Sequence, residues 1–220
     1  MAIRKRDTIY LVSNGDFRND ANKAGWLQQQ ELLRQIQVVL KKLGYKTKVV
    51  TQYDPKCGHG MLTKQCEGTA AFAGIPPGAP VIIVLSVWAY AHHVSGPLQT
   101  HDGPKLLVAN FDGTNPGLVA LLNHGGTLDR LGVPHSRLWS DDFTNDSVAE
   151  QKLAEWCNTE GISHDVSHLT DVSSLVIPPS AMRFGEELTG TIRLERRIMG
   201  QLDPGCMGML NAVMDPGKLG

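Results

Sequence analysis

The feature that most constrains the fold is an apolar run, Val81–Val87, interrupted only by Ser86. A short continuous run of this kind is typical of a strand that is covered on both faces, whereas a half-exposed strand alternates polar and apolar residues. Leu106–Ala109 is a second such run. Strands buried on both faces occur in parallel sheets, which are covered by the helices that connect their strands.

Strand-like and helix-like segments alternate along the first 160 or so residues. Further strands are predicted at Ile9–Ser13, Lys46–Thr51 and Arg137–Trp139. Helices are predicted at Gly25–Leu43, Met61–Phe72, Pro116–Leu122 and Ser147–Asn158. Ser147 and Glu150 have the spacing of a capping box at the start of the last helix. The alternation predicts an α/β fold, a three-layer, doubly wound, mainly parallel sheet of the flavodoxin or Rossmann type.

The pattern changes after about residue 161. The sequence predicts a strand and connection over His164–Ile177, a helix over Ala181–Arg197, a strand at Ile198–Leu202 and a turn at Asp203–Gly205. The chain stops soon after that turn. We therefore predict an N-terminal α/β domain over residues 1–175. Residues 176–220 would then hold a connecting helix and the first strand and turn of a second α/β domain that is cut short.

Composition excludes several classes of protein. Lys and Arg number 21 and Asp and Glu 22, a net charge of −1, which leaves no electrostatic basis for nucleic-acid binding. No apolar stretch has the roughly 20 residues needed to cross a bilayer, and no signal-peptide segment follows the basic N-terminus. The four cysteines are too scattered for a disulfide framework. We expect a soluble, cytoplasmic protein that binds neither nucleic acid nor a membrane.

Candidate binding residues follow the predicted strands, where ligands approach doubly wound sheets. The sequence places Asp16–Arg18, Trp88–His93 and Asn110–Asn115 there. The flat face of Trp88 suits the C–H face of a sugar, and the fork of Arg18 suits adjacent oxygens. The simpler alternatives are a core role for Trp88 and pairing of Arg18 with a nearby Asp. The Asn110–Asn115 turn either cradles a ligand or consists of Asx turns.

Two sets of candidate metal ligands stand close together in the sequence: His92, His93 and His101, and Cys57, His59 and Cys66. In the first set, adjacent side chains of a strand would point apart. The second set lacks a fourth ligand and the paired spacing of a zinc site. Buried, apolar cysteines are therefore the simpler expectation.

Four segments resemble the L-fucose isomerase-like sugar isomerases. They are Lys105–Asn123, Leu138–Thr144, Leu202–Met214 and the pair Val87–Trp88, where this family has a tryptophan that reaches a substrate pocket. The resemblance runs from about Thr8 to Gly220 in the family's order. It implies the N-terminal part of a three-domain aldose–ketose isomerase, an intramolecular oxidoreductase of carbohydrate metabolism that acts through an enediol.

The resemblance also implies a cofactor and an assembly. Members bind a divalent metal, commonly Mn²⁺, through residues of their second and third domains, so the metal ligands would lie outside this chain. No catalytic residue is then assigned here, and the 220 residues alone would be inactive. In a homo-oligomer, Trp88 would stack on an aldose or ketose bound to a neighbouring subunit. Arg18 would hydrogen-bond the hydroxyls of the sugar.

Two other functions stay open. The first is a stand-alone sugar-binding or regulatory α/β module without catalysis, because the chain lacks the family's metal ligands and an evident general base. The second is a flavodoxin-like domain that binds a flavin or a nucleotide. The loop Asn14–Asp20 has neither a Ser/Thr-rich phosphate cradle nor a Gly-x-Gly-x-x-Gly motif, which ranks this function last.

Overall fold

The computed structural model of the protein describes residues 2–4, 7–196 and 206–213. Within them, five strands form one sheet: β1 (Thr8–Ser13), β2 (Lys46–Val49), β3 (Val81–Leu85), β4 (Lys105–Asn110) and β5 (Ser136–Ser140). The strand order is β2-β1-β3-β4-β5, and every neighbouring pair is parallel. The predicted doubly wound α/β fold of the flavodoxin or Rossmann type is confirmed.

The helices of the described residues are α1 (Asn19–Lys42), α2 (Gln65–Ala73), α3 (His92–Thr100), α4 (Gly117–Arg130), α5 (Ser147–Thr159) and α6 (Pro179–Leu194). Short 3₁₀ turns lie at Val172–Ser174, Cys206–Gly208 and Leu210–Ala212. None of the described helices has both the length and the apolar character needed to cross a membrane.

The central strand β3 divides the core into two apolar clusters. Ile82 packs in one cluster with residues of α1 and α5, and Ile83 packs in the other with residues of α3 and α4. Successive side chains of a strand point to opposite faces, so the apolar run serves both clusters at once. Helices therefore cover both faces of the sheet, which produces the three layers.

Several predicted helix boundaries are wrong. α1 begins at Asn19 rather than Gly25, because its first turn is polar and carries no part of the apolar stripe. α2 begins at Gln65 rather than Met61. α4 continues to Arg130 rather than ending at Leu122, since Asn123 and His124 are buried polar residues that interrupt the apolar pattern without ending the helix.

Two further corrections concern local chemistry. His92 and His93 lie in helix α3 and not in a strand; the helix was missed because Gly96 and Pro97 stand inside it. The N-cap of α5 is Asp146 rather than Ser147, whose place is the first residue of the helix. The predicted capping box is therefore wrong, although the helix begins where the sequence predicts.

The chain forms two compact units, Met1–Ile162 with Gly205–Gly220, and Ser163–Pro204. In the second unit, α6 confirms the predicted helix, but the strand predicted within His164–Ile177 is wrong. That segment is exposed, and its hydrogen bonds are local, as in the bond from Ser173 N to Asp171 Oδ1. The predicted strand Ile198–Leu202 and turn Asp203–Gly205 lie outside the described residues. The division into 1–175 and 176–220 stays a prediction.

Candidate functional site

The loops that follow β1, β3 and β4 meet at one edge of the sheet, here called the carboxyl edge. The chain leaves β1 toward β2 on one side and returns through β3 toward β4 on the other. Such a reversal of strand order opens a crevice between the two central strands, and ligands of doubly wound proteins bind there. The candidate site therefore lies at the ends of β1 and β3.

Asn14, the residue after β1, connects two buried histidines. Its Nδ2 atom donates to Tyr90 O at 2.9 Å and to His124 Nε2 at 2.7 Å, and His93 Nδ1 donates to its Oδ1 atom at 3.1 Å. His124 Nδ1 in turn donates to Ala120 O at 2.7 Å. Since an amide nitrogen only donates and a carbonyl oxygen only accepts, these bonds place the proton of each ring on Nδ1.

Both imidazoles of this network are neutral at pH 7. Burial lowers the pKa of His93 to about 4 and that of His124 to about 4. The network ties β1, the loop after β3, α3 and α4 together at the carboxyl edge. Sequence analysis missed it, because the three side chains come from distant parts of the chain.

Arg18 forms an ion pair with Asp16, whose side chain is 0% exposed. Arg18 Nε lies 3.1 Å from both Asp16 oxygens, and Nη2 lies 2.5 Å from Oδ2. Asn22 fixes the backbone of Asp16 through bonds of 2.8 and 2.7 Å. The hydrogen bond and charge of Asp16 raise the pKa of Arg18. The simpler alternative, pairing with an Asp, is thus present, and it leaves Nη1 on the side away from the carboxylate.

An aromatic column joins the surface to the buried network. Phe17, 58% exposed, contacts Tyr90 edge-to-face with ring centroids 5.0 Å apart. Tyr90 stacks on His93 with centroids 5.7 Å apart and ring planes 14° from parallel. These faces supply apolar contact area beside the guanidinium of Arg18.

Trp88 follows β3 and is only partly buried. Its Nε1 atom donates to Met207 O at 3.2 Å. Met207–Val213, here called the C-terminal segment, also receives a bond from Asn123 Nδ2 to Gly208 O at 3.5 Å. Arg130 Nη1 donates to Leu210 O at 2.7 Å and to Val213 O. Trp88 therefore stands at the carboxyl edge with its indole N–H bonded to this segment.

A cavity of about 530 Å³, here called the edge groove, opens between the loop after β1 and the segment Thr51–Glu67. Its polar lining residues are Asn19, Thr51, Gln52, Asp54, His59, Thr63, Lys64 and Glu67. Sequence analysis weighed His59 only as a zinc ligand and missed the groove. A second cavity of about 510 Å³ lies between α2 and α3, away from the strand ends.

Local bonds describe the cysteines and the Asn110–Asn115 turn. The expectation that Cys57 and Cys66 are buried is wrong, because Cys66 is exposed and Cys57 is only partly buried. Cys57 Sγ donates to Asp54 Oδ2 at 3.3 Å, which raises the pKa of Cys57. Asp112 Oδ1 accepts from the backbone N atoms of residues 114 and 115, each at 2.9 Å. The turn therefore contains the predicted Asx geometry at Asp112, and its role as a ligand cradle stays a prediction.

Within the part of the chain that the structure describes, no set of donors fits a divalent metal. Across residues 2–4, 7–196 and 206–213, no group of three or more His, Cys, Asp or Glu side chains is arranged to hold an ion. No step is therefore assigned to a metal on these residues. A scan against protein-family models matches no family, and a search of curated proteins finds no significant match.

Proposed function

We propose that the carboxyl edge binds a sugar and that the chain is the N-terminal part of a metal-dependent aldose–ketose isomerase of the L-fucose isomerase-like type. The observation that carries the sugar-binding part is the fixed Arg18–Asp16 pair beside the Phe17–Tyr90 contact. Asp16 takes the Nε and Nη2 side of the guanidinium, and the Nη1 donors that it leaves open beside aromatic faces suit a hydroxyl-bearing ligand with an apolar C–H face.

Charge favours a neutral ligand over a phosphate. Asp16 compensates the charge of Arg18, and Asp20 stands in the first turn of α1. In doubly wound folds the helix after β1 receives the phosphates of nucleotide cofactors, and acidic groups at that position repel them. This supports a polyhydroxylated ligand over a flavin or a nucleotide.

The proposal assigns binding rather than proton transfer to this chain. Asp16 orients Arg18, and Arg18 donates hydrogen bonds to the hydroxyls of the sugar. Trp88 stacks its ring face on a sugar that is bound in a neighbouring subunit of a cytoplasmic homo-oligomer. His93 and His124 hold the edge together as neutral rings. In the proposal, Mn²⁺ or a similar divalent ion, bound outside this chain, supplies stabilisation of enediolate charge.

Calorimetric titration of the full gene product with a panel of pentoses and 6-deoxyhexoses tests the binding site. We expect saturable binding that weakens by about 10-fold or more in Arg18→Ala, the loss of a charge-assisted hydrogen bond. Arg34→Ala is the matched control, because Arg34 also pairs with a carboxylate and is 56% exposed against 54% for Arg18. Absence of heat across the panel would overturn the proposal.

The isomerase part needs a separate measurement. The full gene product, supplied with Mn²⁺ and the same aldoses, is expected to form ketoses. Binding of sugar without any ketose formation would instead support the stand-alone sugar-binding module.

A further inference from the structure

The edge groove has no role in the contacts proposed so far. Phe17 and Asn19 line it on one side, flanking Arg18 in the sequence, and residues of Thr51–Glu67 line the other. Its volume of about 530 Å³ lies within the usual range of small-molecule sites, roughly 300–1,000 Å³. A ligand held by Arg18 would thus have the groove next to it.

His59 fixes the orientation of Asn19 in the wall of the groove. His59 Nδ1 accepts from Met61 N at 3.1 Å, so its proton is on Nε2, which lies 2.9 Å from Asn19 Oδ1. Burial lowers the pKa of His59, in keeping with a neutral ring. Asn19 therefore gives its oxygen to His59, and its Nδ2 atom has no partner within the described part of the chain. The Nδ2 atom of Asn19 is therefore a hydrogen-bond donor whose orientation is set by His59.

Glu67 supplies the complementary acceptor. Its Oε2 atom accepts from Thr63 N at 2.7 Å and from Thr63 Oγ1 at 3.0 Å. These two bonds hold the carboxylate in place at the start of α2. The other oxygen, Oε1, has no partner among residues 2–4, 7–196 and 206–213. The groove therefore combines an oriented acceptor with the donor of Asn19.

The lining selects a chemical class of ligand. A hydroxyl group both donates and accepts, so a chain of hydroxyls matches an amide donor and a carboxylate acceptor at once. Two carboxylates, Asp54 and Glu67, line the groove against one ammonium group, Lys64, and this negative balance disfavours an anion there. Phe17 and Leu62 give apolar contact to the carbon skeleton.

We propose that the edge groove is a hydroxyl-binding subsite for the end of the sugar remote from Arg18, with Asn19 and Glu67 determining which hydroxyl pattern is accepted. This inference rests on the proposed sugar-binding function. It assigns specificity for the distal hydroxyls to Asn19 and Glu67, and anchoring to Arg18.

Two isosteric variants test the subsite. Asn19→Asp keeps an oxygen for His59, replaces the donor with an acceptor and adds a negative charge. Glu67→Gln keeps an oxygen for Thr63, replaces the free acceptor with a donor and removes a negative charge. Titrated with L-fucose, D-arabinose and L-arabinose, each variant is expected to bind its best sugar about 10-fold more weakly than the parent protein. Gln65→Ala, at the exposed first position of α2, is the control and is expected to bind as the parent does.

Amide chemical shifts and melting midpoints complete the test. We expect the sugar to shift the NMR signals of Thr51–Glu67 in the parent protein, with unchanged melting midpoints in both variants. Sugar binding that depends on Arg18 but is unaffected by both groove variants, with no shifts in Thr51–Glu67, would overturn the subsite alone. Failure of the parent protein to bind any of the sugars would overturn the proposed function and the subsite with it.

Discussion

Asn14 stands where the side chain must donate and accept at the same time. Its amide nitrogen donates to Tyr90 O and to His124 Nε2, and its oxygen accepts from His93 Nδ1. An aspartate would offer two acceptors and a buried charge. A leucine would remove the partner of His93 Nδ1 and of His124 Nε2, at a cost of about 1–3 kcal/mol per unsatisfied group. The residue type follows from the network, but nothing in the sequence near Asn14 reveals that two distant histidines converge on it.

The histidine network predicts a loss of stability in acid. The folded pKa values of about 4 for His93 and His124 lie below the ordinary value of 6.5, so the unfolded chain binds more protons between these limits. The stability that these two neutral histidines contribute is complete above pH 6.5 and decreases as the pH drops toward about 4. We expect the free energy of unfolding to decrease over this window by an amount on the order of a few kcal/mol.

Urea denaturation at a series of pH values measures this slope. His93→Gln should flatten it, because one of the two depressed groups is gone. His92→Gln changes the neighbouring ring outside the network and should retain the slope. An equal slope in the parent protein and in His93→Gln would contradict this account.

At the scale of the element, the start of α5 depends on one carboxylate. Asp146 Oδ1 accepts from Val148 N at 2.9 Å and from Ala149 N at 3.0 Å, which satisfies two of the helix's free N–H groups. Asp146 Oδ2 also accepts from Ser140 Oγ at 2.8 Å and so joins the helix to the end of β5. These bonds lower the pKa of Asp146.

Replacing the cap should destabilise the protein where replacing its neighbour does not. Asp146→Ala is expected to cost about 1–2 kcal/mol, because both N–H groups lose their partner. Ser147→Ala, at the exposed first helical position, should change stability by less than about 0.5 kcal/mol. Chemical denaturation of the two variants distinguishes Asp146 from Ser147 as the cap. The reverse ranking would restore the capping box that the sequence pattern indicates.

Elements were predictable where burial alone decides them. β3 and β4 are apolar on both faces, and the apolar stripe of α1 from Leu32 to Leu40 is buried. The strands and the helix were therefore predictable from the spacing of apolar residues. α3 was not predictable, since its Gly96 and Pro97 are poor helix formers that tertiary packing overrides. Conversely, the β-branched residues of Val172–Ile177 resemble a strand but have no sheet to join within the described chain.

At the scale of the whole molecule, the C-terminal segment belongs to the same compact unit as the sheet. Gly208 lies against the ring of Tyr90, so closely that an added Cβ atom would lie 2.0 Å from Tyr90 Cδ1. Its φ of +79° also favours glycine. The segment can therefore cross the aromatic column only with glycine at this position. No local sequence pattern predicts that contact.

Gly208→Ala should loosen the C-terminal segment from the rest of its unit. The control is Gly132→Ala, because Gly132 has φ +67° but no atom within 4 Å of an added Cβ. Both variants carry the backbone strain of a left-handed residue, and only Gly208→Ala carries the clash with Tyr90. Hydrogen–deuterium exchange at Met207–Val213 should accelerate in Gly208→Ala and stay at the parent rate in Gly132→Ala. Equal rates in the two variants would show that the clash is absorbed elsewhere.

The bonds from Trp88, Asn123 and Arg130 all end on main-chain carbonyl oxygens of the C-terminal segment. The acceptors are therefore common to all amino acids, and apart from Gly208 their positions depend on the path of the backbone. Side chains at Leu210 or Val213 could be exchanged by drift without loss of an acceptor. Insertion or deletion of a single residue would displace several acceptors together. Natural selection on these contacts would therefore conserve the number of residues in the C-terminal segment more strictly than the identity of its side chains.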